Sequence, residues 1–152
     1  MTQAVYDAQI AVVHQNITNT VAQLSSATTP EQLEGALDIL TELTSNPYLN
    51  NNTTMTTVID ALNQTLQVMN NLLNSSTDLS TTIEQAATVL SNAINFVTQS
   101  DCGISTNFSS QALNSSYSLL GELSDLSVKN SNQTGDPQRI DTGSFLLNSV
   151  LL

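Results

Sequence analysis

The sequence predicts a mainly α-helical fold, an up-down bundle of four to five helices followed by a C-terminal strand-like segment. Apolar residues recur every three or four positions from the first residues to about position 128. Short polar segments separate these stretches, and connections of this length favour antiparallel neighbours. Beyond position 138 the apolar residues are mostly branched or aromatic, and their pattern is typical of a strand.

The first two helices have a clear period and a clear boundary between them. The first is predicted over residues 4–26, and the second begins at Pro30, which suits the first position of a helix. Thr29 can cap that helix and Gln32 can close a capping box. The second helix ends near Asn46-Pro47, because the residue before a proline avoids the helical conformation. The inward residues are Ile10, Val13, Ile17, Val21 and Leu24, then Leu33, Leu37, Leu40 and Leu43.

Three further helices are predicted over residues 53–73, 79–98 and 108–128. Thr81 and Glu84 can form the capping box of the fourth helix, and the turn Asp101-Cys102-Gly103 ends it. The predicted core residues are Met55, Val58, Ile59, Leu62, Leu66, Met69 and Leu73 in the third helix, Ile83, Ala87, Leu90, Ile94 and Val97 in the fourth, and Leu113, Tyr117, Leu120 and Leu123 in the fifth.

The chain is therefore divided into a helical domain over residues 1–128, a polar linker over 129–137 and the start of a β segment over 138–152. The segment ends on Val150-Leu151-Leu152, and exposed apolar ends of this kind are usually buried against something. We expect it to dock on, or belong to, another domain of a longer chain, or to contact a neighbouring copy.

Charge excludes several classes of function. Two cations, Lys129 and Arg139, stand against 13 acids, so the net charge is −11. Nucleic-acid binding needs Lys and Arg to neutralise phosphates, and an anionic membrane surface would repel this chain. No run of apolar residues is long enough for a membrane span, so no direct membrane insertion is expected. No signal peptide is visible either, so a secreted protein would need a leader that this chain lacks.

No catalytic, cofactor or metal site is predicted. The acids Asp38 and Glu42 lie one helical turn apart, which is typical of a solvated face. The calcium-loop pattern, the nucleophile elbow and the phosphate loop do not occur, and Cys102 has no histidine partner in its sequence context. An enzyme is therefore not expected. Cys102 is either an idle thiol or forms an intermolecular disulfide with a cysteine outside this segment.

Asn-x-Ser/Thr triplets, the acceptor sequons of N-glycosylation, are frequent. Chance pairing of 17 asparagines with 39 serines and threonines in 152 residues predicts about four. The chain has eight, so an extracellular, glycosylated surface is predicted, with Asn52, Asn74, Asn107 and Asn132 as the strongest candidates because the chain is most open there. The sequons start at Asn16, Asn51, Asn52, Asn63, Asn74, Asn107, Asn114 and Asn132.

Three stretches carry a family resemblance. They are PEQLEGALDILTELTSNPYL, TTVIDALNQTLQVMNNLLNSSTDLSTTIEQAATVLSNAINF and GDPQRIDTGSFLLNSVLL. Together, over residues 30–152, they resemble the helical extracellular segment of polycystin-like and receptor-for-egg-jelly (REJ) proteins, especially protist ones, where it leads into a GAIN-type domain. The GAIN cleavage triplet is absent, because His14 is followed by Gln15, so self-cleavage is not implied.

The resemblance implies a module of a large cell-surface protein, on a ciliary membrane and near a polycystin-type channel. Sequence features and resemblance together predict a non-enzymatic extracellular structural or adhesion-type module of a cell-surface glycoprotein. One alternative is a subunit of an extracellular filament or ciliary hair-like appendage. A second is an intracellular helical scaffold whose polar composition reflects genomic bias.

Overall fold

The computed structural model describes residues 2–98 and 106–149, with side chains from residue 110 onward in the second range. It is mainly helical and ends in a small antiparallel sheet, which confirms the predicted fold class. The helices are α1 (Gln3–Ser26), α2 (Pro30–Thr44), α3 (Asn52–Asn74), α4 (Ser80–Thr98) and α5 (Thr106–Thr134), with a 3₁₀ turn at Pro47–Leu49; the strands are β1 (Arg139–Asp141) and β2 (Leu146–Asn148).

The five helices form two layers. Helices α1, α3 and α5 lie side by side in one layer, and α2 and α4 form the other. Contacts at the helix ends give the directions. Tyr6 Oη donates to the Tyr48 carbonyl at 2.7 Å, so α1 begins where α2 has ended. Gln133 Nε2 donates to the Leu73 carbonyl at 2.7 Å, so α3 and α5 end together. Successive helices therefore alternate in direction, as short connections favour.

Polar side chains fix the starts of the helices. Thr29 accepts from the Gln32 amide at 3.3 Å, as predicted, while the Gln32 side chain reaches the Thr28 amide at 2.8 Å. Asn51 and Thr54 form a reciprocal capping box at the start of α3. The box predicted for Thr81 and Glu84 is wrong, because α4 begins at Ser80 and Thr81 already lies inside it.

The predicted core is confirmed for α3, in which all seven inward residues are buried. In α5 the prediction is wrong at Tyr117, which is 58% exposed. The buried face of α5 runs through Ala112, Ser116, Leu119, Leu123 and Leu126, which follow a helical period. Helix α5 packs against both α3 and α4. The small residues at 112 and 116 lie in this contact, whereas hydrophobicity alone assigned the contact to the neighbouring stripe that contains Tyr117.

Residues 129–134, predicted as linker, are the last turns of α5. Asn130 and Ser131 are 1% and 0% exposed, and burial among hydrogen-bonding partners stabilises the helix through this polar stretch. The Asn130 Oδ1 accepts from the Leu79 amide at 2.9 Å and so caps α4. Gly135, with a φ of +80°, follows the helix in the left-handed conformation that favours glycine.

The C-terminal strands form a hairpin that packs on the bundle. Ile140 and Leu147 face each other across the ladder, and both are buried in the common core. Ser149 Oγ lies 2.6 Å from Ser131 Oγ on α5. Gln138 Nε2 donates to the Ser80 carbonyl on α4 at 2.7 Å. The strand prediction is confirmed in kind, and residues 150–152 lie outside the described residues.

Candidate functional site

The eight sequons all belong to one layer of the bundle. Asn16 lies in α1; Asn51 caps α3, and Asn52, Asn63 and Asn74 lie within it; Asn107, Asn114 and Asn132 lie in α5. Neither α2 nor α4 nor residues 135–149 contain a sequon, although Asn92, Asn95 and Asn148 occur there. The residues two positions after these three are Ile94, Val97 and Val150, which carry no hydroxyl.

The described acceptor asparagines lie at the surface. Asn52 is half-buried, and the side chain of Asn107 lies outside the described residues. The exposed acceptors are Asn16, Asn51, Asn63, Asn74, Asn114 and Asn132. Each of the seven acceptors whose burial is known therefore meets the first requirement of a glycosylated asparagine, which is access to solvent.

The asparagines differ in whether Nδ2 is used, and a free Nδ2 is not confined to the acceptors, since the side chains of Asn46 and Asn70 are bonded only through Oδ1 within the described residues. A glycan attaches to Nδ2, and Asn50, Asn92 and Asn130, which are not acceptors, use that atom structurally. Asn50 Nδ2 donates to the Leu43 carbonyl at 3.1 Å, and Asn92 Nδ2 donates to the Thr41 carbonyl at 3.1 Å. Within residues 2–98 and 106–149, no hydrogen bond uses the Nδ2 of the six acceptors Asn16, Asn51, Asn52, Asn63, Asn74 and Asn114.

The two neighbouring acceptors at the start of α3 differ in their role. Asn51 Oδ1 accepts from the Thr54 amide at 2.9 Å, so this side chain holds the N-cap. Asn52 is the first residue of the helix, and its carbonyl accepts from the Thr56 hydroxyl at 2.8 Å. Its side chain has no capping role, because Asn51 holds the N-cap. Of the overlapping pair, Asn52 is the acceptor whose modification disturbs the helix start less.

A groove runs between α3 and α5. At one place it encloses about 380 Å³ and is lined by Asn63 and Asn114, two acceptors that lie 51 residues apart in sequence. Further along, a volume of about 690 Å³ is lined by Asn70, Glu122 and Lys129, among others. Lys129 Nζ donates to Asn70 Oδ1 at 3.0 Å. The groove therefore has a mixed polar and apolar lining and carries two acceptors on opposite walls.

The other predicted chemical groups have simpler positions. Cys102 lies outside the described residues. Asp38 and Glu42 are exposed on α2. Hydrogen bonds from the Ser80 hydroxyl and amide hold the pKa of Asp78 below its usual value, and this carboxylate lies just before α4.

Within 2–98 and 106–149, no three His, Cys, Asp or Glu residues are grouped in a way that could hold a metal ion. No described helix is both long and apolar enough to cross a membrane.

Comparisons with protein-family models, with curated proteins and with solved structures gave no match to this chain. The resemblance to polycystin-like and REJ proteins stays a prediction.

Proposed function

We propose that this chain is a non-enzymatic, N-glycosylated extracellular module, structural or adhesion-type, of a larger cell-surface glycoprotein. The α1, α3 and α5 layer carries the glycans, and the α2 and α4 layer with the hairpin faces protein neighbours. The observation that carries the proposal is the confinement of all eight sequons to one layer. This layer holds 12 of the 17 asparagines, and its eight sequons exceed the chance number of about four for the whole chain, whereas the asparagines of α4 and the hairpin form none.

The surface chemistry supports the same proposal. Charged residues make up 10% of the chain, against about 25% in an ordinary soluble domain. Neutral polar side chains take their place, and glycans on exposed Nδ2 atoms keep such a surface soluble without many charges. The resemblance to polycystin-like and REJ proteins supports the further proposal of a ciliary membrane as the location.

Glycopeptide mass spectrometry on the natively purified protein tests the proposal. We expect hexose-bearing masses on peptides from the α1, α3 and α5 layer, with Asn52, Asn74, Asn107 and Asn132 among the occupied sites. Enzymatic deglycosylation should convert each occupied asparagine to aspartate, while Asn92 and Asn95 serve as internal controls that stay unmodified. Bare asparagines at all eight sequons would refute the proposal and favour an intracellular scaffold.

A filament subunit is the second candidate, and Leu146 is the observation that favours it. This residue lies on β2 and is 51% exposed, in the segment predicted to contact a neighbouring copy. If copies associate through the hairpin, sedimentation should show concentration-dependent assembly that Leu146→Asp abolishes. Val12→Asp, at an equally exposed apolar position on α1 (59% exposed), is the matched control. A chain that stays monomeric at high concentration would exclude this candidate.

A further inference from the structure

Ser116 is a polar residue inside the core. It lies in α5 and is fully buried. Its hydroxyl has no hydrogen-bond partner within the described part of the chain. A buried hydroxyl without a partner destabilises the folded state, because its hydrogen bond to water is lost on folding and nothing replaces it. Alanine would fill the same position without that loss.

Every other buried serine and threonine of the described residues differs from Ser116 in this respect. Each of the nine has a hydrogen-bond partner, either a carbonyl one turn earlier in its helix or a polar side chain nearby. A compositional bias towards serine and threonine accounts for buried hydroxyls that have a hydrogen-bond partner. The nine residues are Thr20, Thr44, Thr54, Thr65, Thr82, Ser91, Ser127, Ser131 and Ser149.

The position of Ser116 in the sequence supplies a chemical reason for the hydroxyl. It is the third residue of the sequon Asn114-Ser115-Ser116, and N-glycosylation requires a hydroxyl at that position. Asn114 itself is exposed on the groove between α3 and α5, and its Nδ2 makes no hydrogen bond there. We infer that Asn114 is an occupied glycosylation site, and that Ser116 keeps its hydroxyl for glycan transfer rather than for the fold. This inference rests on the proposed function.

The burial of Ser116 also sets the order of events. The transferase must reach the hydroxyl while it modifies Asn114, and in the folded chain that hydroxyl is inaccessible. The transfer therefore precedes the packing of α5. Asn114 Nδ2 forms a bond to the anomeric carbon of an oligosaccharide carried on a lipid diphosphate. The bond from that carbon to the diphosphate breaks, and the lipid diphosphate and the amide proton leave.

Two measurements on the full chain test the inference. In the first, the chain and its variants are made in eukaryotic cells behind a secretory leader, and site occupancy is measured by glycopeptide mass spectrometry. We expect a glycan on Asn114 in the parent chain and in Ser116→Thr, and none in Ser116→Ala. Ser115→Ala is the matched control, because it keeps the sequon and changes an exposed serine in the same helix.

In the second, the same variants are made in bacteria without glycans, and their thermal unfolding is compared. Removal of the unsatisfied hydroxyl should raise the Tm of Ser116→Ala by about 2–6 °C above the parent. Ser115→Ala reports the gain from helix propensity alone and should rise less. Ser91→Ala, which removes a hydroxyl that donates to Ser144 at 2.8 Å, should instead lower the Tm.

The outcomes separate this inference from the proposed function. A bare Asn114 beside occupied sequons elsewhere would overturn the inference and leave the proposed function intact. Bare asparagines at every sequon would overturn both. A Tm for Ser116→Ala at or below that of Ser115→Ala would show that the hydroxyl serves the fold, and would also overturn the inference.

Discussion

Asn130 joins α5 to the start of α4, so its replacement should be strongly destabilising. Its Oδ1 accepts from the buried Leu79 amide at 2.9 Å, and its Nδ2 donates to Ser80 Oγ at 3.0 Å. In Asn130→Ala the start of α4 loses the bond from Nδ2 to Ser80, which costs about 1 kcal/mol. The Leu79 amide also stays buried without a partner, which costs about 1–2 kcal/mol more. We expect a total loss of about 2–3 kcal/mol in the free energy of unfolding.

Urea unfolding followed by circular dichroism measures this loss, since a lower midpoint at constant slope reports stability alone. Asn71→Ala, which removes an exposed asparagine from α3, should change the free energy of unfolding by less than about 0.5 kcal/mol. Asn130→Asp keeps the acceptor for Leu79 but places a second carboxylate next to that of Asp78. In the parent chain, Asp78 Oδ1 lies 3.4 Å from Asn130 Nδ2. Asn130→Asp should therefore regain stability at acidic pH. An Asn130→Ala chain as stable as Asn71→Ala would refute the assigned capping role.

Four further results are expected from the structure. Hydrogen bonds from Ser80 lower the pKa of Asp78 below its usual value of 3.8. The stabilisation that they give is therefore present above pH 3.8 and is lost as the pH falls through the lower pKa of the folded state. When urea midpoints are measured against pH, Asp78→Asn should reduce the loss of stability at acidic pH. Gly121→Ala should raise the free energy of unfolding by about 1 kcal/mol, since an added Cβ meets nothing within 4 Å, and an unchanged urea midpoint would contradict this. Leu147→Ala should lower it by about 2–4 kcal/mol, measured by thermal unfolding, because this buried residue ties the hairpin to the core. Tyr117→Ser should change it by less than about 0.5 kcal/mol in the same assay, whereas a loss of several kcal/mol would place Tyr117 in the core.

The C-terminal hairpin packs into the core of the helices. Ile140 and Leu147 share the core of the helices, and Gln138 and Ser149 bond to α4 and α5. Deletion of residues 135–152 should therefore expose buried surface on α4 and α5 and destabilise the bundle. The proposal that the C-terminal segment contacts a further domain concerns its outer face, where Leu146 is exposed.

Features that depend on neighbours within one or two helical turns could be predicted from the amino-acid sequence. The period of three and four in α3 predicts seven of its ten buried residues, because one face of a helix is enough to define the core side; the three it misses, Thr54, Ala61 and Thr65, are polar or small. Thr29 and Pro30 mark the start of α2, since the capping atoms lie within three residues of each other. The sequons are also local patterns, and so all the candidate acceptors could be named from the sequence.

Features that depend on partners far away in the sequence could not be predicted and became clear from the packing of the helices. The sequence predicts a polar linker over residues 129–134. These residues are helical because Asn130 forms a hydrogen bond with Leu79, 51 residues away, and Ser131 forms one with Ser149. The confinement of the sequons to one layer follows from the order in which the helices pack, which no periodicity records. Ser116 looks like any other serine of α5 in the sequence. It becomes informative only when packing against α3 and α4 buries its hydroxyl without a partner, because the cost of an unmade hydrogen bond arises only when water is excluded.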